Sequence, residues 1–315
     1  MRFAQTESEI TWATAPRPFS AGPRLLERSG ERRNHAVSQR ETWRLVETWD
    51  GDPYWNMAVD EAILQTHLAG LTPPTLRFYT WKPYALSLGY AQKVSTSADV
   101  EALARHGVAL VRRPTGGRAV FHADELTYSV VLPVGHRLAP EGVLASYRLL
   151  SAGLLAGYRI LGISAELAPE AGRGARSKGS GSSPDCFDTP SPYEVVVEGK
   201  KIAGSAQMRS EGGVLQHGSL PITADVDLLF ALFPYADEEE RTRAKEYHRQ
   251  RATTMAEVLG YRPAFEEVVR AFRRGFEEAL GIRLEPDELY PAEEILAEKL
   301  AEEKYRQEGW TFRRR

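Results

Sequence analysis

The chain has 315 residues, of which 42% are hydrophobic and 26% charged, as in a soluble globular protein with one large core or two smaller ones. Its 40 basic and 43 acidic residues give a net charge of −3, which argues against a general nucleic-acid binder. The single cysteine cannot form an intrachain disulfide. With no apolar run long enough to span a bilayer and no secretion signal, the sequence predicts a cytoplasmic protein without membrane contact.

Apolar periodicity begins only after a long polar start. Residues 1–41 are rich in Arg, Pro, Ser and Gly, so we expect a flexible extension there. From residue 42 onward, strand patterns alternate with helix patterns. The predicted strands are 42–46, 75–79, 85–90, 109–113, 126–132, 192–197, 201–208 and 214–220. The predicted helices are 54–64, 99–106 and 147–161, and the pattern is helical from 254 to 315.

Turn residues join these strands into two local arrangements. Trp81-Lys82-Pro83 predicts a hairpin between the second and third strands. Turns at Glu198-Gly199 and Glu211-Gly212-Gly213 predict a three-stranded meander of the last three strands. Strand runs followed by helices predict an α+β catalytic domain over 42–250, and 251–315 is predicted as a short helical segment.

Cys186 is the only thiol of the chain and follows a Gly/Ser-rich stretch. Its small, polar and turn-forming neighbours suit an accessible loop better than a packed core. An accessible thiol can serve as a nucleophile, since the thiolate is the reactive form. An incidental loop cysteine explains the same context equally well, so both interpretations stay open.

Two glycines, Gly116 and Gly117, directly follow a predicted strand. A turn there exposes backbone N–H groups and lets a ligand approach without meeting a Cβ, so it could cradle a carbonyl or a phosphate. It has neither the Gly-Lys-Ser/Thr ending of a phosphate-binding Walker loop nor the spacing of a dinucleotide fingerprint. An ordinary hairpin turn is the alternative.

Lys201 begins a strand of very small side chains, where a bound chain would find room. Alternation places Lys201, Ala203 and Ser205 on one face and Ile202, Gly204 and Ala206 on the other. A lysine at the edge of such a slot can stabilise a thiolate or an oxyanion, whereas Lys200 suits a solvated hairpin tip.

Two histidines, His122 and His217, lie near these motifs. Each could act as a base, and a hydrogen-bonded structural histidine is the alternative for both. Neither has the spacing of a metal site, so no metal is predicted.

Taken together, these motifs resemble the biotin/lipoate protein ligase superfamily and, within it, the bacterial octanoyltransferases that act on the glycine-cleavage H protein. The resemblance covers nearly everything from Trp43 to Phe312. It rests on motifs at residues 55–62, 112–118, 125–129, 186–188, 198–207 and 215–219.

The resemblance implies the family's α+β fold, with a mixed or antiparallel sheet and flanking helices. It also implies transfer of an octanoyl group from octanoyl-acyl carrier protein, through a thioester on Cys186, to a lysine of the H protein, with no cofactor. Lys201 falls on the family's lysine that lowers the cysteine pKa. The implied substrate-binding residues are Arg113, Gly116, Gly117, His122, Gly204, Ser205, Ala206 and His217.

Three other functions compete with this interpretation. An ATP-dependent lipoate ligase shares the fold but needs no cysteine, and an amidotransferase between H protein and other lipoyl domains uses one. A binding module for acylated carrier domains would follow if Cys186 were unreactive. For the transferase, we expect acidic carrier domains to dock at rim residues Arg118, Arg173, Arg176 and Lys178. Residues 1–41 and the Gly/Ser-rich segment 172–183 depart from the family pattern.

Overall fold

A mixed six-stranded sheet forms the centre of the computed structural model, which describes residues 40–168, 194–210 and 212–314. Residues Arg40–Arg315 form one compact unit. The predicted extension lies outside the described residues, apart from its last two. Within the described residues, no helix combines the length and the apolarity needed to cross a bilayer.

Strands and helices interleave along the chain. The strands are β1 (Glu41–Gly51), β2 (Thr75–Trp81), β3 (Ala85–Leu88), β4 (Ala109–Arg112), β5 (Val120–His122), β6 (Glu125–Pro133), β7 (Glu166–Leu167), β8 (Val195–Val197), β9 (Lys200–Lys201), β10 (Gly204–Ser210), β11 (Gly213–Pro221) and β12 (Ile282–Asp287). The helices are α1 (Pro53–Leu68), α2 (Val94–Ser97), α3 (Val100–Arg105), α4 (Val143–Ile160), α5 (Val226–Ala231), α6 (Glu238–Arg251), α7 (Met255–Leu259), α8 (Phe265–Leu280), α9 (Pro291–Leu300) and α10 (Glu308–Thr311), with a π-helical turn at Ala301–Tyr305.

The central sheet has the strand order β10-β11-β6-β2-β1-β12. Strand β1 runs parallel to both of its neighbours, whereas β2, β6, β11 and β10 pair antiparallel in succession. Two three-stranded sheets, β4-β3-β5 and β7-β8-β9, complete the α+β fold. The predicted fold class, a mixed sheet with flanking helices, is confirmed.

Helices cover both faces of the central sheet. On one face, α4 and α8 pack so closely that a Cβ on Gly157 would lie 2.4 Å from a ring carbon of Phe272. On the other face, α1 and α9 cover a second apolar cluster. Helix α1 begins where the sequence predicts, because the Asp52 carboxylate accepts hydrogen bonds from the N–H groups of Tyr54 and Trp55. The side chains of α1 can therefore reach the central strands from this second face.

The predicted hairpin between 75–79 and 85–90 is wrong. Strand β2 belongs to the central sheet, while β3 is the middle strand of the sheet β4-β3-β5. All four residues of β3 are buried, and a strand buried on both faces suits the interior of a covered sheet. The consequence for the site is that β3 and β5 form a second wall opposite the central sheet.

The predicted meander is divided between two sheets. The Glu198-Gly199 turn is confirmed, with φ values of 50° and 78° that match a tight hairpin turn, and it joins β8 to β9. The chain then leaves this sheet at Ile202 and Ala203, which are buried in the core, and enters the central sheet at Gly204. Strands β10 and β11 pair there as predicted. The expected face of Lys201, Ala203 and Ser205 is therefore interrupted.

The carboxy-terminal part is not wholly helical. Gly281 ends α8 in the left-handed conformation with φ 64°, and the chain continues as β12, which pairs with β1. Ile282 and Leu284 alternate into the core while Pro286 lies at the sheet edge, where a missing N–H is tolerated. The strong periodicity of α8 masks this short strand in the sequence.

Candidate active site

A narrow cavity of about 40 Å³ lies between the central sheet and the sheet β4-β3-β5. Its wall contains most of the residues that the resemblance implies for substrate binding, namely Arg113, Gly117, His122, Gly204, Ser205, Ala206 and His217. Gly116 is exposed beside Gly117 in the turn that forms the rim. Apolar side chains of Met57, Tyr79, Trp81 and Val120 complete much of the wall. The arrangement therefore suits a ligand with an apolar body.

The floor of the cavity is made by very small residues of β10 and β11. In this antiparallel pair Ala206 lies opposite His217, so both side chains point to the same side. Ser205 lies opposite Gly218, and its hydroxyl bonds the Tyr128 hydroxyl at 2.8 Å on the other face. Ser205 therefore contributes backbone to the floor, while its side chain belongs to the core below.

A hydrogen-bond relay runs from a buried ion pair to the rim. Asp60 of α1 accepts hydrogen bonds from Arg77 at 2.7 Å and from His217 Nδ1 at 3.0 Å. Burial opposes ionisation of Asp60, but the Arg77 guanidinium and the His217 hydrogen bond together hold the pKa of this carboxyl below its usual range. Tyr79 and Ser129 also donate to it. The relay therefore starts from a carboxylate that is fixed and charged.

His217 connects Asp60 to the rim turn by hydrogen bonds at both of its ring nitrogens. Burial lowers the pKa of His217 although Asp60 opposes the shift, so its imidazole is neutral at neutral pH. Because Nδ1–H donates to Asp60, Nε2 is the acceptor, and it receives the Thr115 hydroxyl at 2.7 Å. Thr115 directly precedes Gly116 and Gly117, so the relay anchors one end of the rim turn.

Arg113 stabilises the rim turn through hydrogen bonds to its backbone. Its guanidinium donates to the carbonyl oxygens of Gly116 at 2.9 Å and Arg118 at 2.6 Å, and to the carbonyl oxygen of Ser87 at 2.9 Å. With two of its carbonyls bound to Arg113, the turn presents an ordered backbone beside the cavity mouth. Gly117 has φ 94°, a conformation that favours glycine.

Glu125, at the start of β6, connects the central sheet to His122 of β5. It accepts hydrogen bonds from His122 Nδ1 at 2.7 Å and from the hydroxyls of Thr127 and Ser219. His122 also bonds the Ser87 hydroxyl at 2.8 Å and stacks on Trp81 with ring centroids 4.0 Å apart. Both histidines predicted from the sequence are thus hydrogen-bonded through both ring nitrogens, as the structural alternative expects. Sequence reasoning missed the roles of Glu125 and Asp60.

Lys201 is 1% exposed, and its ammonium bonds Glu194 at 2.7 Å. Lys200 is exposed, so the predicted opposite orientation of the two lysines is confirmed. Lys201 does not line the cavity itself. The predicted nucleophile Cys186 and the predicted rim residues Arg173, Arg176 and Lys178 lie outside the described residues. In the part of the chain that is described, no group of three or more metal-binding side chains could hold an ion.

Comparisons with known proteins agree with this architecture. The model of the lipoyl protein ligase A/B catalytic domain matches residues 52–277. Octanoyltransferase LipM of Halalkalibacterium halodurans is 46% identical over 275 residues, which cover 87% of this chain and 100% of the relative. Octanoyltransferase LipM of Bacillus subtilis is 43% identical over 277 residues, with 88% and 100% coverage.

Solved structures of lipoate protein ligases share the fold. The bipartite ligase of Thermoplasma acidophilum superimposes with a TM-score of 0.70 at 28% identity, covering 87% of this chain and 96% of that chain. A lipoate-protein ligase A bound with ATP gives a TM-score of 0.69 at 27% identity, covering 87% and 99%. With these structures and the LipM relatives in agreement, the chain belongs to the lipoyl protein ligase A/B catalytic domain family.

Proposed function

We propose that this chain is an octanoyltransferase of lipoate biosynthesis that uses a covalent thioester and no nucleotide. Its donor is octanoyl-acyl carrier protein, and its acceptor is a lysine of the glycine-cleavage H protein. The observation that carries the proposal is an apolar cavity with a floor of Gly204, Ala206 and Gly218 beside the exposed Gly116-Gly117 turn. It is supported by relatives named octanoyltransferase at 42% to 46% identity.

In the first half-reaction, the Cys186 thiolate attacks the carbonyl carbon of the octanoyl thioester. A new carbon–sulfur bond forms to Cys186, the bond to the carrier sulfur breaks, and the carrier leaves as a thiol after taking up a proton. In the second half-reaction, the neutral amine of the acceptor lysine attacks the same carbonyl. An amide forms, the amine loses a proton, and Cys186 leaves as a thiolate. The carrier must depart before the acceptor enters, so the kinetics are ping-pong.

The cavity holds the acyl tail during both steps. Burial of each CH₂ group contributes about 0.8 kcal/mol, so the depth of the slot can select the chain length. The Gly116-Gly117 turn faces the carbonyl end of the ligand. The relay from Asp60 through His217 keeps this turn in place.

We expect Ala206→Leu to shorten the preferred acyl chain, because its side chain points to the cavity side of β10. Each CH₂ group excluded from the slot should lower the specificity constant for octanoyl about fourfold relative to a chain that still fits. Competition between octanoyl and butanoyl thioesters measures this ratio. An unchanged preference would show that the tail lies elsewhere.

We expect Lys201→Met to raise the apparent pKa for alkylation of Cys186, because Lys201 is buried and falls on the family's lysine that favours the thiolate. Lys200→Met is the matched control and should leave the alkylation profile unchanged, because Lys200 is exposed. Rates of iodoacetamide reaction against pH give both values. Equal effects from the two lysines would refute the assignment.

The Lys201→Met variant also leaves Glu194 as a buried carboxylate without its 2.7 Å partner. A double variant, Lys201→Met with Glu194→Gln, removes both charges and should restore stability. The double variant should still show the raised alkylation pKa. An ordinary profile in a folded double variant would contradict the electrostatic role of Lys201.

The experiment that tests the proposed function combines the full chain with octanoyl-acyl carrier protein and apo H protein, with and without ATP. We expect equal octanoylation of the H protein in both reactions. Octanoylation only with ATP and free octanoate would instead favour a ligase, the activity in the name of the ATP-bound structural relative. Transfer from octanoylated H protein to another lipoyl domain, without use of the acyl carrier protein, would favour an amidotransferase.

A further inference from the structure

Three cations are concentrated beside the rim turn. Lys93, Arg313 and Arg314 are exposed, and within the described ranges none of them forms an ion pair with a carboxylate. Neighbouring cations differ, because Lys304 pairs with Glu61 and Arg306 with Asp52. This basic rim, defined as Lys93, Arg313 and Arg314, therefore keeps its positive charge available to a partner.

Backbone contacts connect the basic rim to the cavity mouth. The Val94 N–H donates to the Arg314 carbonyl at 3.0 Å, which joins Lys93 to the carboxy-terminal residues. The Tyr90 N–H donates to the Thr115 carbonyl at 2.8 Å, one residue before the rim turn. A Cβ on Gly89 would lie 2.0 Å from the Gly117 carbonyl oxygen, so this loop lies directly against the turn.

Arg313 lies against two neighbouring aromatic rings. Its guanidinium carbon lies 4.2 Å from the Tyr90 ring centroid and 5.0 Å from that of Trp310. A stacked guanidinium loses little conformational freedom when its forked donors bind a carboxylate. The aromatic rings therefore prepare Arg313 for an anionic partner.

Arg112 ties the same surface to the interior. It is fully buried and donates to the Thr311 carbonyl at 2.8 Å and to the Gly89 carbonyl at 2.8 Å. Burial and the nearby charges of Arg313 and Arg314 lower the pKa of Arg112. Arg313 and Arg314 are thus close enough to repel Arg112, an unfavourable arrangement that an anionic partner would relieve.

We propose that the basic rim is the docking surface for the acidic acyl carrier protein that donates the octanoyl group. This proposal rests on the proposed function. Charge complementarity favours this occupant, because carboxylates around the carrier's acyl arm would meet Lys93, Arg313 and Arg314 while the arm enters beside the Gly116-Gly117 turn. Rim charges of this kind act mainly on the association rate and are screened by salt. The carrier is thereby captured quickly and released once its acyl group has passed to Cys186.

The test compares the wild type with Lys93→Gln/Arg313→Gln/Arg314→Gln. A matched control removes three exposed cations from the helices on the other face of the central sheet, as Arg148→Gln/Arg159→Gln/Arg270→Gln. Both variants lose the same net charge. Each protein is acylated with octanoyl-acyl carrier protein and, separately, with the neutral thioester octanoyl-N-acetylcysteamine, and acyl-enzyme is measured against time by intact-protein mass spectrometry.

For the rim variant, we expect the second-order rate with the carrier to fall about tenfold or more at low salt, and the difference from wild type to shrink at high salt. The ratio of this rate to the rate with the small thioester should fall as much, and the control variant should keep the wild-type ratio. The proposal is overturned if the rim variant matches wild type at low salt, if the control loses as much, or if the small thioester slows equally. A wild type that no octanoyl thioester acylates would instead refute the proposed function.

Discussion

Replacing Cys186 by alanine is expected to abolish octanoyl transfer without unfolding the protein. The alanine side chain has no sulfur to accept the acyl group, so the rate of transfer from carrier to H protein should fall by at least about a thousandfold. Cys186→Ser should retain slightly more activity, because a hydroxyl is a much weaker nucleophile at neutral pH. Transfer is measured by the appearance of octanoylated H protein.

Circular dichroism is the control for this pair of variants. Both should unfold at the wild-type temperature, since the sequence around Cys186 suits a loop rather than a packed core. An alanine variant that is folded and transfers at the wild-type rate would eliminate the covalent route.

The second large effect is expected on stability. Asp60→Asn should lower the free energy of unfolding by about 3 to 5 kcal/mol, because it leaves the Arg77 guanidinium buried without its carboxylate partner. It also weakens the support of His217 and hence of the rim turn. Urea denaturation at neutral pH measures the loss.

A surface ion pair supplies the matched control. Asp124 bonds Arg262 at 2.7 Å, but both side chains are partly exposed, so Asp124→Asn should cost no more than about 1 kcal/mol. The pH dependence gives a further check. Because the pKa of Asp60 is lowered in the folded protein, its stabilisation is present above the ordinary value and is lost as pH falls through the folded value. Equal losses for the two variants would refute the relay as a buried network.

Local signals in the sequence predicted much of the fold. The Asp52-Pro53 start of α1 and the Glu198-Gly199 turn are set by neighbouring residues, and both are where the sequence indicates. The pairing of strands is harder to predict from sequence, because periodicity shows that a segment is extended but not which strand it pairs with. For this reason the predicted hairpin of β2 and β3 is wrong, and the sequence pattern does not reveal β12 beside β1.

The candidate site likewise contains residues that local sequence signals predict and residues that they do not. The cavity residues of β10 and β11 could be found because small residues and a resemblance mark them. The relay could not, since Asp60 and His217 are 157 positions apart and meet only through the packing of α1 on the sheet. Glu125 likewise depends on Ser219 from another strand. A buried carboxylate has no local signature that separates it from a solvated one.

The central claim is that Cys186 carries the octanoyl group as a thioester without any nucleotide. Intact-protein mass spectrometry after incubation with octanoyl-acyl carrier protein, in the absence of ATP, tests it most directly. We predict one added octanoyl group on the wild type, removed by neutral hydroxylamine and mapped by peptide analysis to Cys186, and none on Cys186→Ala. An adduct on the alanine variant, or no adduct on an active wild type, would contradict the account.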